Sequence, residues 1–219
     1  MKIAIIGTGN IGGTLTRRFT QMGHEVSIAN SRGPETLEDL AAETGAIPCN
    51  VREVVRDAQV VVVTIPEKNI PNLPENLFVK VPEDAVVIDT GNYYPKQRDG
   101  NIAEIEAGMP ESRWVESRLG HSVIKVFNNI YARHLLERGL PAGEPGRIAL
   151  PVSGDNPSAK KTVMQLVDQL GFDAVDVGGL DESWRQQPGT PCYGADLNAG
   201  GLREALRTAS PNRKPEWRA

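Results

Sequence analysis

The sequence predicts an α/β protein: a doubly wound, mostly parallel sheet over residues 1–145, with a small C-terminal α/β extension over 146–219 packed on the same sheet. Three observations carry this expectation. Short apolar runs alternate with stretches of helical periodicity, the rhythm of βαβ units. The runs are apolar on both faces, as strands covered by helices on both sides must be. The length of 219 residues, with 39% hydrophobic and 24% charged, suits one domain plus a small extension, with neither repeats nor a low-complexity linker.

Residues 3–6 form the first strand, stopped by Gly7. Ile11, Leu15, Phe19 and Met22 then recur at helical spacing, and Gly23 offers a left-handed stop. Residues 26–29 read as the second strand. Gly33-Pro34 opens the next helix, with Glu35 and Glu38 in its first turns and Gly45 at its close. A short helix over 51–57 leads to the valine run that begins at Val60. Strands over 85–89 and 123–127 follow. The extension contributes two strands, in "RIALPVSG" and "FDAVDVGG", a helix over 158–170 between them, and a last helix over 196–209 before a polar tail. The strands starting at Ile3, Val26, Val60, Ala85 and Val123 are expected in one sheet, its order reversing beside the first and leaving a ligand crevice there.

"GTGNIG" places Gly7, Gly9 and Gly12 in the pattern G-x-G-x-x-G. Alone the pattern is weak. Here it follows a strand and opens an amphipathic helix, the context that dinucleotide binding requires. Gly7 permits the tight turn, Gly9 a close approach of backbone to pyrophosphate, and Gly12 close helix–strand packing. The helix start offers free N–H groups and a positive dipole end to phosphate. A purely structural glycine turn is the competing reading.

At the end of the second strand, an NAD-specific site normally carries Asp or Glu for the adenosine ribose. This chain has Asn30, Ser31 and Arg32. Asn30 and Ser31 can donate to phosphate oxygens, and Arg32 supplies a forked, permanently charged donor that can also stack on adenine. The stretch reads as a cradle for a 2′-phosphate, hence NADP(H). A solvated surface arginine is the alternative.

Other strand ends bring Thr64-Ile65-Pro66, then Thr90-Gly91-Asn92 with Tyr93 and Tyr94, then Asn128-Asn129; Thr64, Ile65, Pro66, Thr90 and Gly91 are expected to bind the cofactor. Asn92, Asn128 and Asn129 are the candidate catalytic residues, expected to converge on the nicotinamide; the competing reading makes Asn92 and Asn128 loop caps. Among these strand-end groups only the phenols ionise, and no Tyr-x-x-x-Lys is present. A ring acceptor such as a flavin or deazaflavin, which can take its proton from solvent, would need no dedicated acid.

Net charge −4 gives no reason to expect nucleic acid or an anionic membrane as partner. Cys49 and Cys192 form no framework, and His24, His121 and His134 have no metal-ligand spacing, so no metal is expected. The apolar runs are too short for a signal core or a membrane span, which makes a cytoplasmic location the expectation.

Together, "IAIIGTGNIGGTL", "ANSRGPETL", "VVVTIPEKNI", "VIKVFNNIYARHL", "PVSGDNPSAKKTVMQLVDQLGFDAVDVGGL" and "ESWRQQPGTP" resemble the NADPH:8-hydroxy-5-deazaflavin oxidoreductase-like family. These are the coenzyme F420-dependent NADP reductases, related to the cytosolic reductase domain of the STEAP ferric reductases. The resemblance runs from about residue 1 to 191. It implies that Thr8, Gly9, Asn10 and Ile11 bind the pyrophosphate and nicotinamide half. It further implies that Ser31 and Arg32 hold the 2′-phosphate, that Ile65 and Pro66 line the cofactor cleft, and that Asn128 and Asn129 stand near the nicotinamide. The expected function is hydride transfer between NADP(H) and a deazaflavin (F420) or flavin. Reduction of a small imine or carbonyl with Tyr93 or Tyr94 as acid, and a non-catalytic NADP(H) sensor, are the alternatives. Leu197, Leu202, Ala205 and Leu206 on the last helix face either their own domain or a second subunit, so a homodimer stays among the expectations.

Overall fold

The structure is a computed structural model and describes residues 1–82 and 84–219. Eight strands form a single sheet: β1 (Lys2–Ile6), β2 (Glu25–Ala29), β3 (Ile47–Pro48), β4 (Val60–Val63), β5 (Val86–Asp89), β6 (Ile124–Lys125), β7 (Ala149–Ser153) and β8 (Asp173–Gly178). Their order is β3-β2-β1-β4-β5-β6-β7-β8. Pairing is parallel except between β6 and β7, so β7 and β8 run against the rest. The five expected strands share this sheet, and the order does reverse beside β1.

The helices are α1 (Asn10–Gln21), α2 (Glu38–Thr44), α3 (Val51–Val54), α4 (Ala103–Glu106), α5 (Glu111–Leu119), α6 (Ala132–Glu137), α7 (Pro157–Gln169) and α8 (Ala199–Arg207). They cover both faces, and strand alternation decides which residues meet which layer. Ile3 and Ile5 of β1 join Leu15 and Phe19 of α1, Leu135 of α6 and Val163 and Leu166 of α7 in one cluster. Ala4 and Ile6 turn to the other side, with Val54 of α3 and Trp114 and Val115 of α5. The four valines of β4 are at most 1% exposed, split between the two clusters. Fully burying a side chain of this size is worth roughly 1.5–3 kcal/mol, so β4 anchors the sheet.

Several expected boundaries shift. The strand expected over 123–127 shrinks to two residues because Phe127 takes a left-handed φ of 64°, which cannot continue a strand. The helix expected over 51–57 ends at Val54, and the one opened by Pro34 starts as a 3-10 turn, Pro34–Leu37. The helices over 103–119 and the short edge strand β3 carry weak periodicity and were not expected. Leu202, Ala205 and Leu206 of α8 are buried against Ala149 and Val175 of β7 and β8, so that apolar side packs on its own domain.

Candidate active site

The cleft forms where the strand order reverses. Gly7 leaves β1 with φ 101°, and its N–H donates to the Ala29 carbonyl at 2.8 Å. A Cβ on Gly12 would collide with the Gly7 carbonyl oxygen and stand 2.7 Å from Thr64 Cγ2, so α1 approaches β1 and β4 as closely as backbone allows. Gly9, the residue before α1, brings no capping side chain. The first-turn N–H groups, Asn10, Ile11 and Gly12 among them, therefore have no helical or side-chain partner and face the cleft mouth as a positive dipole end.

The cleft encloses about 1140 Å³. Gly7, Thr8 and Gly9 form its floor, Asn30, Ser31 and Arg32 one end, and Thr64, Ile65 and Pro66 the wall from β4. Asn50, Val51, Arg52, Arg56, Asn72, Pro74 and Lys80 line it as well. Asn30 has a different task from the expected one. Its Oδ1 accepts from the N–H groups of Arg32 (2.8 Å) and Gly33 (3.0 Å), and its amide donates to the Thr36 hydroxyl (2.9 Å). Asn30 thus shapes the loop that presents Ser31 and Arg32, both exposed.

Thr90, Gly91, Asn92, Asn128 and Asn129 are not among the residues lining the cleft. Thr90 donates from both N–H and hydroxyl to the Val63 carbonyl. The Asn128 amide donates to Asn92 Oδ1 (3.1 Å) and the Gln186 carbonyl (2.6 Å), and its Oδ1 accepts from Gln186 Nε2 (2.9 Å). Asn92 Nδ2 donates to the Asn128 carbonyl at 2.9 Å. The Asn92–Asn128 pair is therefore a half-buried tie between the loops after β5 and β6, with both Asn128 donors spent on the protein. The loop-cap reading describes Asn128, and we withdraw it as a ring-orienting group. Asn129 is buried with its Oδ1 unpartnered, while its backbone carbonyl accepts from Gly194.

Beneath these loops lies a charged cluster that the sequence reading missed. Lys125 on β6 is fully buried; its ammonium donates to Asp89 Oδ2 (3.0 Å) and the Gly91 carbonyl (2.6 Å). Asp89 also accepts from the Gly91 N–H and the Ser112 hydroxyl. Buried Glu111 accepts from the Tyr93 N–H and pairs with Arg213, and Asp99 accepts from the Tyr94 N–H and pairs with Arg98. The backbone from Gly91 to Tyr94 is thus held almost group by group by charges. Glu67, directly after Pro66, is fully buried with neither oxygen partnered. Burial, reinforced by the negative charge of Asp89, pushes its carboxyl well above the usual range. Burial opposes the Lys125 charge as well, but Asp89, Glu67 and Glu111 outweigh it and raise the ammonium above its ordinary value. The available signal was a charge inside an apolar run: Lys125 in "VIKVF" and Asp89 in "VVIDT".

The two phenols separate. Tyr93 is buried, donates to the Gly100 carbonyl and accepts from the Ile102 N–H, which makes it a structural tie. Tyr94 hydrogen-bonds through its hydroxyl to that of Tyr193, and both rings pack near the Trp217 indole. Burial raises both hydroxyls above the ordinary phenol value.

A doubly wound sheet with a glycine turn and a long cleft at its point of reversal is the architecture of the dinucleotide-binding folds. Residues 2–93, from β1 into the loop after β5, match the family described as NADP oxidoreductase, coenzyme F420-dependent. The protein SMa0349 of Sinorhizobium meliloti has the same fold, with a TM-score of 0.74, 29% identity, and coverage of 90% of this chain and 95% of that one. A candidate F420-dependent NADP reductase from Arthrobacter sp. FB24 superposes with a TM-score of 0.70 at 24% identity over 82% of this chain and 86% of its own. YjhV of Escherichia coli (strain K12) is 46% identical over 80 residues, 36% of this chain and 56% of YjhV. The chain spans about half the length of that curated relative, and 36% of the next. Among the described residues no helix is long and apolar enough to cross a membrane.

Proposed function

We propose that the chain is an NADP(H)-dependent oxidoreductase that moves a hydride between nicotinamide C4 and a planar ring acceptor, a deazaflavin (F420) or flavin. The observation that carries the NADP(H) part is the adenosine end of the cleft. Arg32 stands there exposed, its guanidinium without a partner, on a loop that Asn30 preorganises. The chain fits the cofactor in its other half as well. First-turn N–H groups of α1 would hold the pyrophosphate, and Thr64, Ile65 and Pro66 would wall the nicotinamide ribose side. The nicotinamide supplies the hydride when bound. The protein contributes position and exclusion of water, the main needs of a ring-to-ring transfer. No ionisable side chain of the cleft wall from β4 offers a proton, consistent with an acceptor that takes it from solvent. The test is loss of NADPH absorbance with F420, FMN or riboflavin offered in turn. No turnover with any of them would sink the reading.

The Tyr94–Tyr193 pair supports a second reading, in which Tyr94 protonates a small imine or carbonyl substrate. Tyr94→Phe separates the two, since it would remove most of the rate in the second case and leave ring-to-ring transfer nearly unchanged.

A further inference from the structure

Arginines in this chain find partners almost without exception. Even far-exposed ones do: Arg133 and Arg207, 80% and 72% exposed, pair with Glu137 and Glu204. Arg18 and Arg203 donate to backbone carbonyls, and the others engage carboxylates. Among the described residues only Arg32, Arg52 and Arg56 have side chains with no hydrogen bond or ion pair. All three line the same cleft.

Arg32 is accounted for by the 2′-phosphate cradle. Arg52 and Arg56 come from another element. Buried Val54 and Val55 pin α3 and the turn after it to the sheet. Arg52 on α3 and Arg56 in the turn after it are left exposed, and both line the cleft that the Ser31–Arg32 loop also lines. The nearest acid in sequence, Glu53, is engaged by the Asn50 amide at 3.2 Å instead of by either arginine. Two unneutralised guanidiniums lining one cleft repel each other unless an anion lies between them. Forked donors of this kind match phosphate oxygens.

We propose that Arg52 and Arg56 form the second jaw of an adenosine-phosphate clamp, closing on the 2′-phosphate opposite Ser31 and Arg32. The ligand class is a phosphomonoester on the adenosine ribose. The inference rests on the NADP(H) reading above and deepens it: cofactor choice is made by α3 as well as by the loop after β2.

The test uses the whole protein and two probes, adenosine 2′,5′-bisphosphate and 5′-AMP, which differ by the 2′-phosphate, titrated calorimetrically at 50 and 200 mM salt. Arg52→Gln and Arg56→Gln should each weaken the bisphosphate about tenfold, hold 5′-AMP within twofold, and flatten the salt dependence of bisphosphate binding. Arg52→Lys should recover part of the loss, since it restores the charge without the fork. Both side chains are exposed, and unchanged melting temperatures confirm that the variants are folded. Equal losses for the two probes, no loss, or an effect confined to the Michaelis constant of the hydride acceptor would overturn the clamp. If wild type shows no preference between the probes, the NADP(H) reading falls and the clamp with it. If wild type prefers the bisphosphate and only Arg32→Ala abolishes the preference, the clamp alone falls.

Discussion

Replacing Glu67 by glutamine should change how stability depends on pH more than it changes stability itself. The charge count around this residue is uneven: Asp89 is paired with Lys125, Glu111 with Arg213 and Asp99 with Arg98, while Glu67 has no ion-pair partner and no hydrogen-bond donor. Burial and the nearby Asp89 disfavour the ionised carboxylate, so the folded state holds this proton to a higher pH than the unfolded chain does. Folding then takes up a proton that the unfolded chain, whose glutamate titrates near 4.5, has already released. With more protons bound in the folded state, the free energy of unfolding falls as pH rises from that value toward the raised folded one. The slope for one proton is about 1.4 kcal/mol per pH unit. A glutamine side chain is close to isosteric with glutamate and neutral throughout, so Glu67→Gln removes this contribution. Urea unfolding of both proteins at pH 5.5, 6.5 and 7.5 should show the variant gaining on wild type as pH rises, by up to about 1.4 kcal/mol per unit. A stability difference that stays constant over those three pH values would mean that Glu67 is ionised in the fold, and the charge count would be refuted.

Three further outcomes are expected. Arg32→Ala should weaken NADPH by about 1.5–3 kcal/mol, roughly 10- to 150-fold, and leave NADH nearly as it was; equal losses in a titration of both would show that Arg32 only stacks on adenine. Gly12→Ala drives a Cβ into the Gly7 carbonyl and the Thr64 methyl, and should cost more than the 1–3 kcal/mol typical of overpacking while abolishing NADPH binding, as measured by thermal melts and fluorescence titration. Cys192, fully buried and with its thiol pushed up to about 11 by burial, should stay inert to Ellman's reagent in the native protein, so that at most one thiol, Cys49, reacts before unfolding.

The cofactor half of the cleft was legible because its chemistry is local. Gly7, Gly9 and Gly12 lie within six residues, and Ser31 and Arg32 follow the next strand directly, so chain order is also spatial order. The acceptor side was not, because its contacts join distant segments. Asn128 answers to Gln186, 58 residues on, and Tyr94 to Tyr193, 99 residues on; neither partner sits in a motif with a fixed offset. The asparagines had the right residue type at the right strand ends, but a side chain's direction is set by what closes over it. Likewise Glu67 looked like an ordinary surface acid after a proline. Its burial follows from the 3-10 turn at Glu67–Asn72 folding against the π-helical turn at Pro95–Asp99, which no periodicity announces.

Strand β3 is only two residues long, and its second residue has a bearing on solubility. Cys49, the next residue, points its N–H inward to the Ile28 carbonyl. By strand alternation the group at position 48 points outward, at the free rim of an eight-stranded sheet. That position is Pro48, which has no N–H to offer. A rim with exposed donors invites a strand from a neighbouring molecule and, at high concentration, fibre growth. Here the rim is blunted at the one place where β3 would have presented a donor, beside an exposed Ile47 that would otherwise make the contact adhesive.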